Sequence, residues 1–204
     1  MGLNITEAAS LAAIDRQIDG IQRNMAPAQY EIIRQVIYHT ADFEYQSLLK
    51  FSDGALAKGA AALTAATPII VDVPEIQVNI VPRLRKTFFN PVYCCATTAA
   101  DVEAETSRAA NGLEILASQH PNSIFIIGKD LPALSKMVSL LQNNKIEPSL
   151  AIATPPLFTE LETRQKLRSF SIPSISIDDS KGGANIASAI FNSLVNLAWR
   201  ARQI

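Results

Sequence analysis

Five short apolar runs constrain this chain more than any other feature: residues 69–73, 92–96, 124–127, 150–153 and 174–177. The first four are continuous or nearly so, the last reads Ser-Ile-Ser-Ile, and each is followed by a stretch of helical period. A strand that is apolar on both sides needs cover on both sides, which is the mark of a parallel sheet between two layers of helices. The pattern predicts an α/β protein, a three-layer α/β/α arrangement around a mostly parallel, five-stranded sheet. Thr97 or Thr98 opens one helix toward Leu113 and Leu116, and residues 131–141 form another. Thr159 with Glu162 makes a capping box for a third, and residues 185–198 form a long last one.

Ahead of the sheet the chain is predicted to be helical. Asn4 and Glu7 have capping-box spacing, and Leu11, Ile14, Ile18 and Ile21 fall on one stripe, with Gly20 late in that helix. Pro27 supplies a first-turn proline for a second helix whose apolar face is Ile32, Ile33, Val36 and Ile37. Phe43, Leu48, Leu49 and Phe51 suggest a short third helix, and Ser52-Asp53 caps an alanine-rich fourth that ends near Thr67-Pro68. One domain is expected over residues 1–204, with a helical lead-in over 1–67 and alternating strands and helices over 68–204. A chain of this length can bury a core without metals or disulfides.

The 18 Lys and Arg nearly balance the 19 Asp and Glu, so no overall field points to nucleic acid or a membrane surface, and an anionic ligand must be met by a local cluster. Cys94 and Cys95 are adjacent in a predicted strand, which points them to opposite faces and fits a reducing cytosol better than a disulfide. No apolar stretch approaches the roughly 20 residues that span a bilayer, and no signal-peptide pattern occurs. A soluble, cytoplasmic protein is expected.

Ligands of open parallel sheets bind beyond the carboxyl ends of the strands. That rule selects Asp72, Thr97 with Thr98, Gly128, Thr154-Pro155 and residues 178–183 as one rim. Lys181-Gly182-Gly183 stands just before the last helix, whose free N–H groups suit a carboxylate or phosphate; the same residues also suit a plain glycine turn with a solvated lysine. Beside the rim stands the segment from Arg34 through Tyr38, His39, Asp42 and Glu44 to Tyr45, which holds one of the two histidines. His39 titrates near neutral pH and suits acid–base work, while the bland alternative has Tyr38 and His39 closing one helix and Asp42 capping the next. His120 lies in a helix-ending turn, His120-Pro121-Asn122, and suits a surface loop. The chain has no G-x-G-x-x-G, no P-loop and no G-x-S-x-G elbow, and no acidic or His pair has ligand spacing, so neither a cofactor nor a metal is implied.

The order of segments resembles a known family, the precorrin-8X methylmutases, or precorrin isomerases, of cobalamin biosynthesis. Val36-Ile37-Tyr38-His39-Thr40-Ala41-Asp42-Phe43-Glu44 stands where the family typically reads V-I-H-T-T-A-D-F-[DE]. Further matches follow in order: Phe51-Ser52-Asp53, Ile70-Val71-Asp72-Val73-Pro74, Ser107-Arg108-Ala109-Ala110, Ile127-Gly128 with Ala133-Leu134, Ala153-Thr154-Pro155, Lys181-Gly182-Gly183 and Asn192-Ser193-Leu194. The resemblance implies a homodimer with a flavodoxin-like sheet and an active site near the subunit interface. It implies an isomerase that moves a methyl group from C11 to C12 of a corrinoid, a tetrapyrrole, with a histidine as proton donor. Carried onto this chain, it implies His39 or Tyr38 as the acid. The substrate contacts it implies are Ser10, Asp72, Ser107, Arg108, Gly128, Lys181, Gly182 and Gly183.

The departures gather at the rim. The family's histidine falls on Tyr38, with His39 one position later, and one position on a helix is a rotation of about 100°. Glycines that the family places near the ligand are here Asn79, Leu157 and Glu160, and the arginine of its G-R-K-G-G is Ser180. A second expectation therefore stands beside the enzyme: an inactive paralogue that binds a tetrapyrrole or a protein partner.

Overall fold

The computed structural model describes residues 5–18, 25–99, 107–157 and 161–203. Asn4, Gly20, Ile21, Thr159 and Glu160 lie outside the described residues, and with them the caps expected for the first and ninth helices. The chain runs α1 (Ile5–Gln17), α2 (Pro27–Thr40), α3 (Tyr45–Leu48), β1 (Leu49–Phe51), α4 (Ala55–Thr64), β2 (Ile69–Val71), α5 (Pro74–Leu84), β3 (Val92–Cys94), α6 (Cys95–Thr98), α7 (Arg108–Gln119), β4 (Ile124–Ile127), α8 (Leu131–Gln142), β5 (Leu150–Ala153), α9 (Leu161–Ser169), β6 (Ser174–Ile177) and α10 (Ala184–Arg202). The sheet order is β1-β6-β5-β4-β2-β3, with every pair parallel except β1 with β6.

Successive residues of β2, β4 and β5 enter opposite cores. Ile69, Val71, Ile124, Ile126, Leu150, Ile152, Ile175 and Ile177 pack with α1, α2, α4, α5 and α10. Ile70, Phe125, Ile127, Ala151 and Ala153 pack with α7, α8 and α9. This two-sided burial is the reason the runs are unbroken. Cys94 and Cys95 follow the same split, one in each core, and both are free thiols.

The sheet has six strands where five were expected. The third helix read from Phe43, Leu48, Leu49 and Phe51 is a single turn, α3, and Leu49–Phe51 then pairs antiparallel with β6. Ser52 does not cap α4; its hydroxyl donates to the Ile172 carbonyl at 3.1 Å and accepts from the Ser174 amide at 2.7 Å, closing the β1–β6 pair. The cap position belongs to Gly54, at φ 70°. Thr97 and Thr98 bond back to Cys94 within the short α6, and the longer helix starts instead at Ser107.

Two glycines are fixed by close approach. A Cβ on Gly128 would lie 2.6 Å from Ile76 Cδ1 and 2.9 Å from Ala187 Cβ, so α5 and α10 meet over the end of β4 only because no side chain is there. At Gly112, on α7, a Cβ would run into the backbone of Cys95. Gly112→Ala should therefore lower the unfolding free energy by about 2 kcal/mol, although alanine is the better helix former by about 1 kcal/mol. Urea unfolding measures this, and an equal or more stable variant would contradict the packing described.

Candidate active site

The end of α2 is built by local hydrogen bonds. Ala41 takes the left-handed conformation, φ 56°, and its N–H closes on the Ile37 carbonyl at 2.7 Å. The Thr40 hydroxyl accepts from the Asp42 amide at 3.2 Å, and Asp42 Oδ1 accepts from the Glu44 amide at 2.9 Å, an Asx turn. The turn brings both acids to Lys181, whose Nζ lies 2.6 Å from Asp42 Oδ2 and 2.6 Å from Glu44 Oε2. Their charges hold the Lys181 ammonium above the ordinary lysine range. Lys181 in turn holds the Asp42 carboxyl below the ordinary carboxylate range. Lys181 is thus one pole of a three-charge cluster with net charge −1.

One turn back, Tyr38 is half-buried against the core and His39 is exposed, their rings edge to face at 5.3 Å. α2 runs unbroken through Thr40, so no backbone slip swings His39 to the direction of Tyr38. Desolvation lowers the pKa of His39, as does the charge of Arg83, while Glu7 on α1 opposes them. At neutral pH the imidazole is mainly uncharged and can donate one N–H. Ser10 stands three residues beyond Glu7, on the same side of α1, and its hydroxyl bonds the Thr6 carbonyl at 2.9 Å.

The second half of the rim lies where the strand order reverses, between β2 and β4. Asp72 is fully buried, and its Oδ2 accepts from the amides of Gly128 at 3.1 Å, Lys129 at 2.7 Å and Asp130 at 2.8 Å. Burial pushes its carboxyl up and the three amides oppose that. Through Oδ2 Asp72 ties the β4 loop to the end of β2, while its Oδ1 is buried with no hydrogen-bond partner among the described residues. Ser107 is likewise engaged, capping α7 through the Ala110 amide at 2.9 Å and donating to Asp130 Oδ1 at 2.7 Å, while Asp130 caps α8. Arg108, the first residue of α7, is exposed. Gly182, at φ 158°, crosses the Thr154 carbonyl so closely that a Cβ would collide with it. Gly183, at φ 133°, donates to that carbonyl at 2.6 Å and stands at the N-terminus of α10. Because the start of α10 also rests on Gly128, the two halves form one continuous rim.

The family model for precorrin-8X methylmutase matches residues 5–197. The chain belongs to this family. A cobalt-precorrin-8 methylmutase of Synechocystis is 31% identical over 94% of each chain, and one of Methanocaldococcus jannaschii is 31% identical over 82% of this chain and 79% of its own. The solved precorrin-8X methylmutase of Thermus thermophilus superposes with a TM-score of 0.86 at 27% identity, covering 96% of both chains. A solved precorrin-8X methylmutase related protein gives 0.77 at 28% identity over 92% of this chain and 99% of its own.

Within this family's fold, one residue of the rim has no counterpart among the expected site residues. Arg164 on α9 is buried and donates to backbone carbonyls at the ends of β5 and β6. Its signal in the sequence was a cation three residues from Leu161 and three from Leu167, on an apolar stripe. Among the described residues no group of three His, Cys, Asp or Glu could hold a metal, and no helix is long and apolar enough to cross a membrane.

Two titrations check these environments. His39 should titrate below 6.5 by NMR. Because the unfolded chain then binds the proton more tightly than the folded one, this group makes stability rise with pH as His39 loses its proton, and His39→Gln should flatten that rise. In Lys181→Gln the Asp42 pKa should climb toward the ordinary carboxylate range; an unchanged value would show that the ion pair is not made in solution.

Proposed function

We propose that this chain is an isomerase of the precorrin-8X methylmutase type, moving a methyl group from C11 to C12 of a corrinoid precursor in cobalamin biosynthesis. The observation that carries this reading is the family match over residues 5–197, on a chain with close-approach glycines at Gly128 and Gly182 on the rim. Five parallel strands in the order β6-β5-β4-β2-β3 support a flavodoxin-like layout, with the ligand beyond the strand ends.

The reaction needs a positioned proton. As the methyl leaves C11 and bonds to C12, a donor against the macrocycle withdraws electron density and assists the shift, most effectively when its pKa lies near the working pH. His39 fits that role in its imidazolium form, from the solvent side of α2, and Tyr38 is the donor on the core side. Arg108 and Lys181 are the cations for peripheral carboxylates, with the Lys181 ammonium exchanging Asp42 or Glu44 for a substrate carboxylate. The N-terminus of α10 supplies amides, and Gly182 and Gly183 keep side chains away from it. Ser10, on the same side of α1 as Glu7, is the hydrogen-bonding contact in this reading. No cofactor enters the step. The exposed side chains of Val78 and Phe89, 70% and 73% accessible, border a hollow of about 510 Å³ and support a homodimer. The two free buried thiols support a cytoplasmic setting.

The engaged Lys181 and the displaced histidine favour one second reading, a paralogue that binds a corrinoid without turning it over. Purified protein incubated with precorrin-8X and, separately, with cobalt-precorrin-8 separates the two, and methyl migration is expected with at least one. His39→Ala should then lower kcat by about a hundredfold or more. If Tyr38→Phe does so instead, the acid is Tyr38. If neither variant changes kcat, the site is elsewhere. Binding of the product hydrogenobyrinic acid without turnover of either substrate would establish the second reading.

A further inference from the structure

The loop between β6 and α10 carries Lys181 and both rim glycines, and a single buried side chain grips it from α9. Arg164 is 2% exposed. One terminal nitrogen donates to the carbonyls of Ile177, at 3.0 Å, and Asp179; the other donates to Pro155 and, at 3.5 Å, to Lys181. Those carbonyls belong to two loops, one following β5 and one following β6. Among the described residues Arg164 makes no salt bridge, and its Nε has no partner. Burial and the nearby charge of Arg168 lower its pKa to about 10, which leaves it cationic at neutral pH. The buried cation, bonded to carbonyls through its two terminal nitrogens, thus joins the chain at the ends of β5 and β6. A planar fork of five donors can serve four carbonyls at once, and an ammonium on a flexible stem cannot.

The grip has a consequence for the rim. The Lys181 carbonyl is drawn to Arg164 while its ammonium reaches Asp42 and Glu44, so the residue is fixed at both ends. The chain then passes the Thr154 carbonyl through Gly182 and Gly183 into α10. A further bond, from the Leu157 amide to the Ser180 carbonyl at 3.1 Å, ties the same two loops. We infer that Arg164 is a positioning residue, which sets Lys181 and the first amides of α10 for a substrate carboxylate without touching the substrate itself. Its substrate half rests on the proposed function; the grip on the loop does not.

Arg164→Ala and Arg164→Lys, each compared with the wild-type chain, test both halves. Amide hydrogen exchange should show lost protection at Gly183, Ile186 and Ala187 in both variants, with the β4 amides still protected. With precorrin-8X as substrate, KM should rise about tenfold or more while kcat stays within about threefold. Low-millimolar guanidinium should restore part of the affinity of Arg164→Ala, which relief of a general folding defect would not do. If Arg164→Ala does not fold, Arg164→Lys carries the test. A folded variant with unchanged exchange at these amides, or with lost protection and unchanged KM, overturns the inference. A wild-type chain that turns over neither precorrin-8X nor cobalt-precorrin-8 sinks the proposed activity alone, and exchange then decides whether Arg164 pins the loop.

Discussion

Burial of the central strands on both faces is the constraint from which the rest of this structure follows. Ile69 and Val71 enter one core while Ile70 enters the other, and β4 and β5 divide in the same way. Each fully buried aliphatic side chain contributes about 1.5–3 kcal/mol of transfer free energy, so neither face can be opened for a ligand without large loss. Polar chemistry is thereby confined to the strand ends. The carboxyl ends of the parallel strands all open on one side, where His39, Lys181, Arg108 and the start of α10 are found.

Confinement at the strand ends raises its own problem, since backbone groups that leave a buried sheet still need partners. Two buried charges of opposite sign answer it at different crevices. Between β2 and β4, the Asp72 carboxylate gathers three amides of the β4 loop. Between β5 and β6, the Arg164 guanidinium gathers carbonyls of the two loops. Each is costly to bury and would be more costly to leave without those bonds. The rim is therefore a rigid frame, and the end of α2 is joined to it through the pairing of Asp42 and Glu44 with Lys181.

The α/β alternation and the rim itself were legible in the sequence because two-sided burial writes continuous apolar runs. The edge strand was not: Leu49–Phe51 is only three residues long, exposed at Lys50, and its partner β6 lies more than a hundred residues away, so no local pattern marks it. Asp72, Ser107 and Lys181 were recognised as polar residues at strand or helix ends, but residue type does not say whether a side chain serves the backbone or a ligand. Asp72 Oδ2 serves the backbone, and Oδ1 bonds to no group among the described residues. Lys181 is paired with acids 137 and 139 positions away, a juxtaposition set by tertiary packing. Arg164 is not legible in the sequence because a lone arginine on a helix stripe reads as surface charge, and the carbonyls it meets are brought to it by tertiary packing. The offset between His39 and Tyr38, by contrast, was visible at once, and the unbroken α2 shows that the backbone does not absorb it.

The central claim is that the corrinoid lies across the rim at the end of α2. A crystal structure with bound hydrogenobyrinic acid tests it most directly. The macrocycle is expected over the strand ends, within hydrogen-bond reach of His39 or Tyr38, with a peripheral carboxylate near Lys181 or the start of α10. A corrinoid seated away from both side chains, for example in the hollow beside Val78 and Phe89, would contradict the account.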